Sequence, residues 1–416
     1  MTEAKRDQVM PRLRTVEAHP VQNEEQMLFV LRDPAGYAPA QVSLTTGAVF
    51  LAQLLDGETT FGQALDAFKK HYDMELNPED LEGLIQVLDD NLLLESPKFF
   101  AHQNKVDGAY LRRKTRPFVS FSDDAESIAE VRGLVDGIFA EAGYPNGSKI
   151  KPESGAAVGI IAPHIDYLRG GKTYGAAYGR FFHEFDGDTI IVLGTSHQAA
   201  TLPLALTRKH YKTIFGTVRT DEALVEELAT ALPYDGFAEE MLHRNEHSVE
   251  LAATMLAYGG LHKRVKIVPV LASGIIECLL MDRDPLETPT IAASIDALRR
   301  LVEQGAGKTA IIASVDFAHI GPQFGDTKPV SDNGLARCRK QDLRSLELLG
   351  KGDAAGFVDL ITEEQDRRHV CGFSPLTFTA AVLGKTEGEL LDYGCWVDEQ
   401  RQGAVSFAAM ILRKPV

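Results

Sequence analysis

Cysteine is scarce in this sequence, and its spacing excludes two common kinds of cysteine site. Four cysteines occur in 416 residues, at positions 278, 338, 371 and 395, and no two of them form a C-x-x-C pair. A structural zinc knuckle and a thioredoxin-type redox motif both need such pairs and are therefore excluded. We expect reduced thiols. A disulfide between Cys371 and Cys395 is the alternative, although disulfides are uncommon in the cytosol.

Long apolar runs and an excess of basic residues are also absent. No apolar run approaches the ~18 residues of a membrane span, and the start of the chain lacks the apolar stretch of a secretory signal, so we expect a cytoplasmic location. The formal net charge is −16 at pH 7, whereas nucleic acid and anionic membranes both require a basic surface. We therefore expect neither as a partner. The length suggests two or three domains.

Three segments run from a β-branched apolar stretch directly into a histidine. They end at His164, His197 and His319, and the third also carries Asp316. Short runs rich in Val and Ile are typical of buried parallel strands, and in open α/β sheets ligands bind outside the carboxyl ends of such strands. We therefore predict that the three histidines converge at one edge of a sheet, as a metal site requires.

Two further residues are candidates for the same site. His247 lies in a short polar segment before an apolar helical pattern, and Cys371 lies just ahead of another. Ser374 is predicted to be the N-cap of the helix after Cys371, and Pro375 its first residue. The positive end of a helix dipole favours a thiolate, which is a ligand for transition metals.

At these residues the chain resembles the Memo family, whose bacterial members include the AmmeMemoRadiSam system protein B. The resemblance covers roughly residues 115 to 415 and follows the family's order through six short motifs, at residues 162–164, 194–197, 246–250, 267–271, 314–319 and 371–372. The family is similar in fold to the class III, LigB-like, extradiol dioxygenases. The resemblance therefore implies an α/β fold with a mostly parallel central sheet flanked by helices.

The resemblance also implies a chemistry. Carried over by position, the family's metal ligands fall on His164, His197 and Cys371. Beside them are the catalytic candidates His247, Asp316 and His319. Imidazoles suit proton transfer, a carboxylate can orient a neighbouring histidine, and a thiolate ligand favours a redox-active metal. The metal implied is iron first, with copper or zinc as alternatives. The function implied is oxidation of a small molecule or modified peptide, beside radical SAM and AMMECR-type partner proteins.

Two other functions remain open at this point. The first is a non-enzymatic peptide-binding adaptor or metal carrier. The second is a zinc hydrolase, because His243, Glu246 and His247 satisfy the inverted zinc-peptidase pattern H-x-x-E-H. Asn245 and Ser248 are typical N-cap residues, so we predict that His243 lies before the helix and not one turn below His247, which disfavours the hydrolase.

Residues 25–96 are predicted to form a separate small domain. Three helical patterns, at residues 46–55, 60–72 and 77–91, precede the apolar run 92–95, which we interpret as a wing strand paired with residues 27–31. The pattern resembles PqqD-like winged-helix domains, which implies that a peptide binds at a strand edge; packing alone is the alternative. Thirteen acidic residues against three basic ones would repel DNA.

The predicted domain organisation follows from these segments. Residues 1–24 form an N-terminal tail, 25–96 the PqqD-like domain, 97–114 a basic linker and 115–416 the Memo/LigB-like domain. The linker assignment rests on six basic residues against one acidic residue between positions 98 and 116, since such runs are usually solvated.

Overall fold

The computed structural model describes residues 2–22, 26–122, 124–145, 147, 156–305 and 307–415. The chain divides into two compact units, Met1–Arg112 and Arg113–Val416. Residues 1, 23 and 24 of the predicted tail lie outside the described residues. None of the described helices combines the length and the apolar character needed to cross a bilayer.

The N-terminal unit combines a three-stranded antiparallel sheet with helices. Its elements are α1 (Glu3–Arg6), β1 (Glu17–Gln22), β2 (Met27–Arg32), β3 (Val42–Thr45), α2 (Thr46–Gln53), α3 (Phe61–Tyr72), α4 (Pro78–Asp90) and α5 (Pro97–Leu111). Thr60 and Gln63 form a capping box that starts α3, and Asn77 caps α4. The three predicted helices, α2 to α4, are confirmed to within about two residues at each end.

The predicted wing strand at residues 92–95 is wrong. Leu92, Leu93 and Leu94 are all buried, so the run lacks the alternation of a half-buried strand, and Leu92 has a φ of +59°. Leu94 makes only an isolated bridge with Leu13, while β2 pairs with β1 and β3. The winged-helix assignment of this unit therefore stays a prediction.

Both segments that flank residues 25–96 contribute structure to the N-terminal unit. Met10 belongs to its buried core, and residues 17–22 form its first strand. Most of the predicted linker is the helix α5, which Ser96 caps and in which Phe99 and Tyr110 are buried. The basic segment therefore forms a helix with buried apolar residues. The local signal for this helix is a capping serine followed by proline, which favours a helix start.

The C-terminal unit is an α/β fold. Its strands are β4 (Thr115–Arg116), β5 (Ala157–Ala162), β6 (Thr189–Thr195), β7 (Leu204–Leu206), β8 (His210–Thr213), β9 (Gly216–Val218), β10 (Lys266–Ala272), β11 (Thr309–Ser314), β12 (His319–Ile320), β13 (Glu387–Val397) and β14 (Ala404–Arg413). Its α-helices are α6 (Ala125–Glu141), α7 (Tyr167–Gly170), α8 (Lys172–Glu184), α9 (Glu222–Ala231), α10 (Ser248–Tyr258), α11 (Ile275–Leu280), α12 (Pro289–Gln304), α13 (Asp332–Gly350), α14 (Ala354–Glu364) and α15 (Phe373–Leu383).

Eight of the described strands form one large mixed sheet. Their order is β12-β14-β5-β11-β6-β10-β7, with β13 beside β14. The neighbours β5, β11, β6 and β10 are parallel, whereas β7, β12, β13 and β14 join antiparallel. The predicted mostly parallel sheet is therefore wrong, since only its centre is parallel. The hairpin of β13 and β14 needs no crossover helix, so β14 can return antiparallel along β5.

Both faces of this sheet are covered. Along β6, Ile190 and Val192 join a core cluster with α6, α8 and α10, whereas Ile191 and Leu193 join a second cluster with α9, α12 and α15. Successive residues of a strand point to opposite faces, so burial on both sides requires an unbroken apolar run. This is the reason that the strands before the histidines are so uniformly apolar.

A buried ion pair joins β4 to α10. The side chains of Arg116 and Glu250 are fully buried and in direct contact, and Glu250 also accepts hydrogen bonds from two main-chain N–H groups after β4. Arg116 donates further to the carbonyl oxygens of His243 and Glu246, at 2.6 Å in each case. The pair therefore anchors the segment that leads into α10.

We expect Glu250→Ala to lower the free energy of unfolding by about 3–5 kcal/mol, because it leaves the Arg116 charge buried without its partner. Denaturant unfolding of the full chain measures this. The matched control is Glu226→Ala, which breaks an exposed pair with Arg208 and is expected to cost less than about 1 kcal/mol. Equal losses in the two variants would contradict the assignment.

Candidate metal centre

The carboxyl ends of three parallel strands bring candidate residues together. Two positions beyond the ends of β5, β6 and β11 lie His164, His197 and Asp316. His247 joins them from the N-cap of α10. The ring centroids of the three histidines are 4.8–5.4 Å apart, and one nitrogen from each ring lies within 4.8 Å of the others. The structure therefore forms a cluster of three imidazoles that could hold a metal ion.

Cys371 adds a sulfur atom to this cluster. Its Sγ lies 3.3 Å from Nε2 of His164, and its thiol is also a hydrogen-bond partner of His197. Gly372 permits this approach, because a Cβ there would come within 2.6 Å of Val315 and 2.7 Å of the Asp316 carbonyl oxygen. The sulfur therefore contacts the imidazoles of His164 and His197, which are the two other metal ligands that the family resemblance implies.

The helix after Cys371 begins earlier than predicted. Gly372 is the N-cap of α15 and Phe373 its first residue, whereas the sequence predicts Ser374 as N-cap and Pro375 as first residue. Proline fits anywhere in the first turn, because the N–H groups there have no acceptor within the helix. It therefore indicates a helix start without locating the start to the residue.

Hydrogen bonds on the far side of two rings set their orientation. Nδ1 of His164 lies 2.9 Å from the Ser314 carbonyl oxygen, and Nδ1 of His197 lies 3.0 Å from Oε1 of Glu246. A carbonyl or carboxylate can only accept, so each Nδ1 carries a proton, and Nε2 has a free lone pair when the ring is neutral. Nε2 of His164 is therefore prepared to bind a metal, and Nε2 of His197 can bind one once its proton is displaced.

Glu246 is the functional residue that the sequence reasoning missed, since it considered Glu246 only within H-x-x-E-H. Its buried carboxylate accepts hydrogen bonds from the main-chain N–H groups of His197 and Ser248, both at 2.9 Å, and lies 3.4 Å from Nδ1 of His247. It thereby contacts two of the three clustered histidines. The available signal was its place directly before His247 in one of the six motifs.

His243 does not belong to the cluster. It lies in a 3-10 turn, Glu240–Arg244, before α10 as predicted, and its side chain is fully buried. Its Nε2 lies 2.9 Å from the Ala205 carbonyl oxygen and its Nδ1 lies 2.7 Å from the Tyr211 hydroxyl. Because both ring nitrogens are engaged, neither is available to a metal, and the zinc-hydrolase alternative loses its geometric basis.

Asp316 and His319 lie beside the cluster in different ways. Asp316 accepts a hydrogen bond from the main-chain N–H of His164 at 3.2 Å, and its other oxygen lies 3.6 Å from Nε2 of the same residue. Burial raises the pKa of Asp316 to about 7. His319 lies in β12, where its Nδ1 is 3.1 Å from the Phe317 carbonyl oxygen and its ring packs edge-on against Phe324. It is not one of the three clustered imidazoles.

Burial also governs the charges of the cluster. It lowers the pKa of His164 well below its ordinary value and lowers that of His247, and it raises the pKa of the Cys371 thiol. His197 differs: burial lowers its pKa, but the Glu246 carboxylate and the Cys371 sulfur together outweigh burial and raise the pKa above its ordinary value. A metal ion bound here would therefore displace protons chiefly from His197 and the Cys371 thiol.

The donor atoms fit a transition metal. Imidazole nitrogen and thiolate sulfur suit iron, copper and zinc, whereas magnesium and calcium prefer oxygen. The side chains of His197 and His247 are 40% and 41% exposed, so the cluster is open to solvent on that side. A metal held here would keep access to a small ligand.

Comparison with known proteins identifies the family. A family model described as Memo-like protein matches residues 132–411, which is more than half of the chain. The chain belongs to the Memo-like family. It is 27% identical to a MEMO1 family protein of Aquifex aeolicus over 387 residues, which cover 92% of this chain and 95% of that protein. A MEMO1 family protein of Thermus thermophilus is 23% identical over 363 residues, which cover 86% of this chain and 100% of that protein.

Membership of the Memo-like family confirms the family resemblance drawn from the six motifs, and the matched range includes the whole histidine and cysteine cluster. A match over 92% of the chain is too long to lie within residues 113–416 alone. The Aquifex relative therefore also resembles part of the N-terminal unit.

We expect Cys371→Ala to abolish the sulfur-to-metal absorption band that cobalt(II) gives when a thiolate binds it, and to weaken cobalt binding at least about tenfold. Titration of the full chain with cobalt(II), followed by absorbance and metal analysis, measures both. Cys395→Ala, which alters an exposed cysteine on β13, is the control and should bind as the parent does. A Cys371→Ala protein that kept the band and the full metal content would contradict the ligand assignment.

Glu246→Gln is expected to weaken metal binding about 10–100-fold, because the amide no longer supplies the charge that orients His197 and makes it basic. Competition of the metal-loaded protein against a chelator of known affinity measures the change. Glu239→Gln alters a carboxylate that accepts hydrogen bonds from the main-chain N–H groups of residues 201 and 202, away from the three histidines, and should leave the affinity unchanged. Equal affinities for the parent and Glu246→Gln would show that this carboxylate plays no part in the centre.

Proposed function

We propose that this protein is a non-haem metal-dependent redox protein that oxidises a small molecule or a modified peptide. The observation that carries the proposal is the convergence of three imidazoles and the Cys371 thiol beyond the strand ends. A cluster that served packing alone would have no need to direct the Nε2 atoms of His164 and His197 inward while their Nδ1 protons are bound elsewhere.

Iron is the metal that we propose, with copper and zinc as alternatives. Once bound, such a metal would supply a centre that exchanges electrons and accepts dioxygen or substrate in an open position. The resemblance to LigB-like dioxygenases supports a reaction with dioxygen. Those enzymes use two histidines and a carboxylate, so the thiol of Cys371 argues for an oxidation other than ring cleavage.

The remaining candidates would move protons during this oxidation. A pKa of about 7 lets Asp316 accept and return a proton near neutral pH. Burial lowers the pKa of His319 to about 4, which keeps its ring neutral near pH 7, so that it can accept a hydrogen bond from a proton donor. His247 was predicted for the same role, but the distances among the three ring nitrogens favour it as a third ligand.

The wider setting is part of the proposal. We place the protein in the cytoplasm, with a small-molecule or peptide substrate and with radical SAM and AMMECR-type proteins as partners. The N-terminal unit would bind a peptide along the edge of its three-stranded sheet, as its resemblance to PqqD-like domains suggests. Its acidic composition argues against nucleic acid.

A non-enzymatic metal carrier or adaptor is the second candidate. One observation favours it, namely the exposure of His197 and His247, because a metal with exposed ligands can be exchanged with other proteins. The two candidates differ in turnover. A carrier would bind and release metal without consuming dioxygen.

We expect protein loaded anaerobically with iron(II) to consume dioxygen when a suitable phenol or peptide is added, with product formed in proportion. An oxygen electrode and mass spectrometry of the products measure this over a panel of both compound classes. Cys371→Ala should lose the activity, and Cys338→Ala, a buried cysteine on α13, should keep it. Tight metal binding with no dioxygen consumption and no product would favour the carrier.

A further inference from the structure

A pocket of about 310 Å³ opens directly beside the candidate metal centre. Three segments form its walls, residues 195–200 after β6, 272–277 at the start of α11 and 366–374 before and within α15. His197 and Cys371 both line it. Its volume is at the lower end of the range for small-molecule sites, so it suits a compact ligand.

His197 and His369 aside, the charged side chains that line this pocket are of one sign. Glu277 and Asp366 line it, and no lysine or arginine does. Glu277 forms no ion pair or side-chain hydrogen bond within the described part of the chain. Asp366 accepts a hydrogen bond from the main-chain N–H of Val370, so its carboxylate is tied to the residue before Cys371.

The nearest basic side chains are directed elsewhere. Arg368 is buried and donates to Asp342 and Glu364, so carboxylates already balance its charge. Arg367 lines a separate cavity beside α13. Within the pocket lining the basic side chains are therefore His197 and His369, and no lysine or arginine competes with a bound cation for the two carboxylates.

Part of the pocket wall is apolar. Ala199, Ala200, Ile276 and Phe373 contribute to them. An apolar wall favours a hydrocarbon portion in the ligand. The pocket therefore combines metal-binding atoms, carboxylates and apolar surface in its lining.

We propose that this pocket selects a small organic cation, in which a protonated amine meets Glu277 and Asp366 while an oxygen head binds at the metal centre. The inference rests on the proposed function, since the head group needs the metal. It goes further by naming the substrate class as amine-bearing molecules, which include the free amine of a peptide terminus or lysine side chain.

This inference can be tested with three phenols that share one head group and differ in the charge of the group at the other end. They are tyramine, which is a cation, 4-ethylphenol, which is neutral, and 3-(4-hydroxyphenyl)propanoate, which is an anion. Calorimetric titration of the iron-loaded full chain gives each dissociation constant, and the phenolate-to-iron(III) absorption band reports contact with the metal. Tyramine should bind at least about tenfold more tightly than the anion, and 4-ethylphenol should bind with intermediate affinity. This spread of the three dissociation constants should narrow at high salt.

The double variant Glu277→Gln with Asp366→Asn should bind all three phenols with similar affinity, because it keeps the shape of the pocket and removes its charge. Glu303→Gln on α12 removes an exposed carboxylate outside the pocket and should keep the spread of the parent. Equal affinities for the three phenols in the parent, or a spread that survives the double variant, would overturn the inference.

Metal analysis of the same samples separates the two proposals. If the iron is retained and none of the phenols binds, the amine-selective pocket is overturned while the metal centre stands. If the chain fails to hold iron, copper or zinc at all, the proposed function is overturned, and this inference with it.

Discussion

The carboxylate of Glu246 is the contact on which the candidate centre depends. It accepts hydrogen bonds from the main chain and the ring of His197 and from the main chain at the start of α10, so one buried group joins the end of β6 to the helix that carries His247. Its own main chain is held in turn by Arg116, which donates to the Glu246 carbonyl oxygen. A buried carboxylate is stable only when such donors surround it, so the same contacts serve the fold and the site.

The centre combines burial with an opening to solvent. His164 and Asp316 lie at the inner side, where burial disfavours charge on both, while His197 and His247 lie at the open side. Cys371 reaches the inner side because Gly372 lets its loop approach the end of β11. An ion held between these residues would thus be shielded from most of the solvent and still be accessible from the neighbouring pocket.

Much of the C-terminal fold and part of its site could be predicted. Strands buried on both faces leave a strong local signal, and strand ends in one sheet share an edge, so His164 and His197 were correctly expected to converge. His319 was expected with them, but it lies in the short strand β12 and does not join the clustered imidazoles. The antiparallel outer strands were not predicted, and the wing strand predicted at residues 92–95 does not form, because strand pairing depends on contacts between distant segments and not on local pattern.

By itself, the sequence determined the family, the buried strands of the sheet centre and the chemical identity of the donor atoms, since each of these is written in local residue types and their order. Only the tertiary structure decided that His247 joins the cluster, that Glu246 orients His197, and that His243 is engaged elsewhere. The physical reason is distance along the chain. His164 and Cys371 are 207 residues apart in sequence, yet their side chains come within 3.3 Å, and such contacts arise only when the whole sheet and its covering helices have packed.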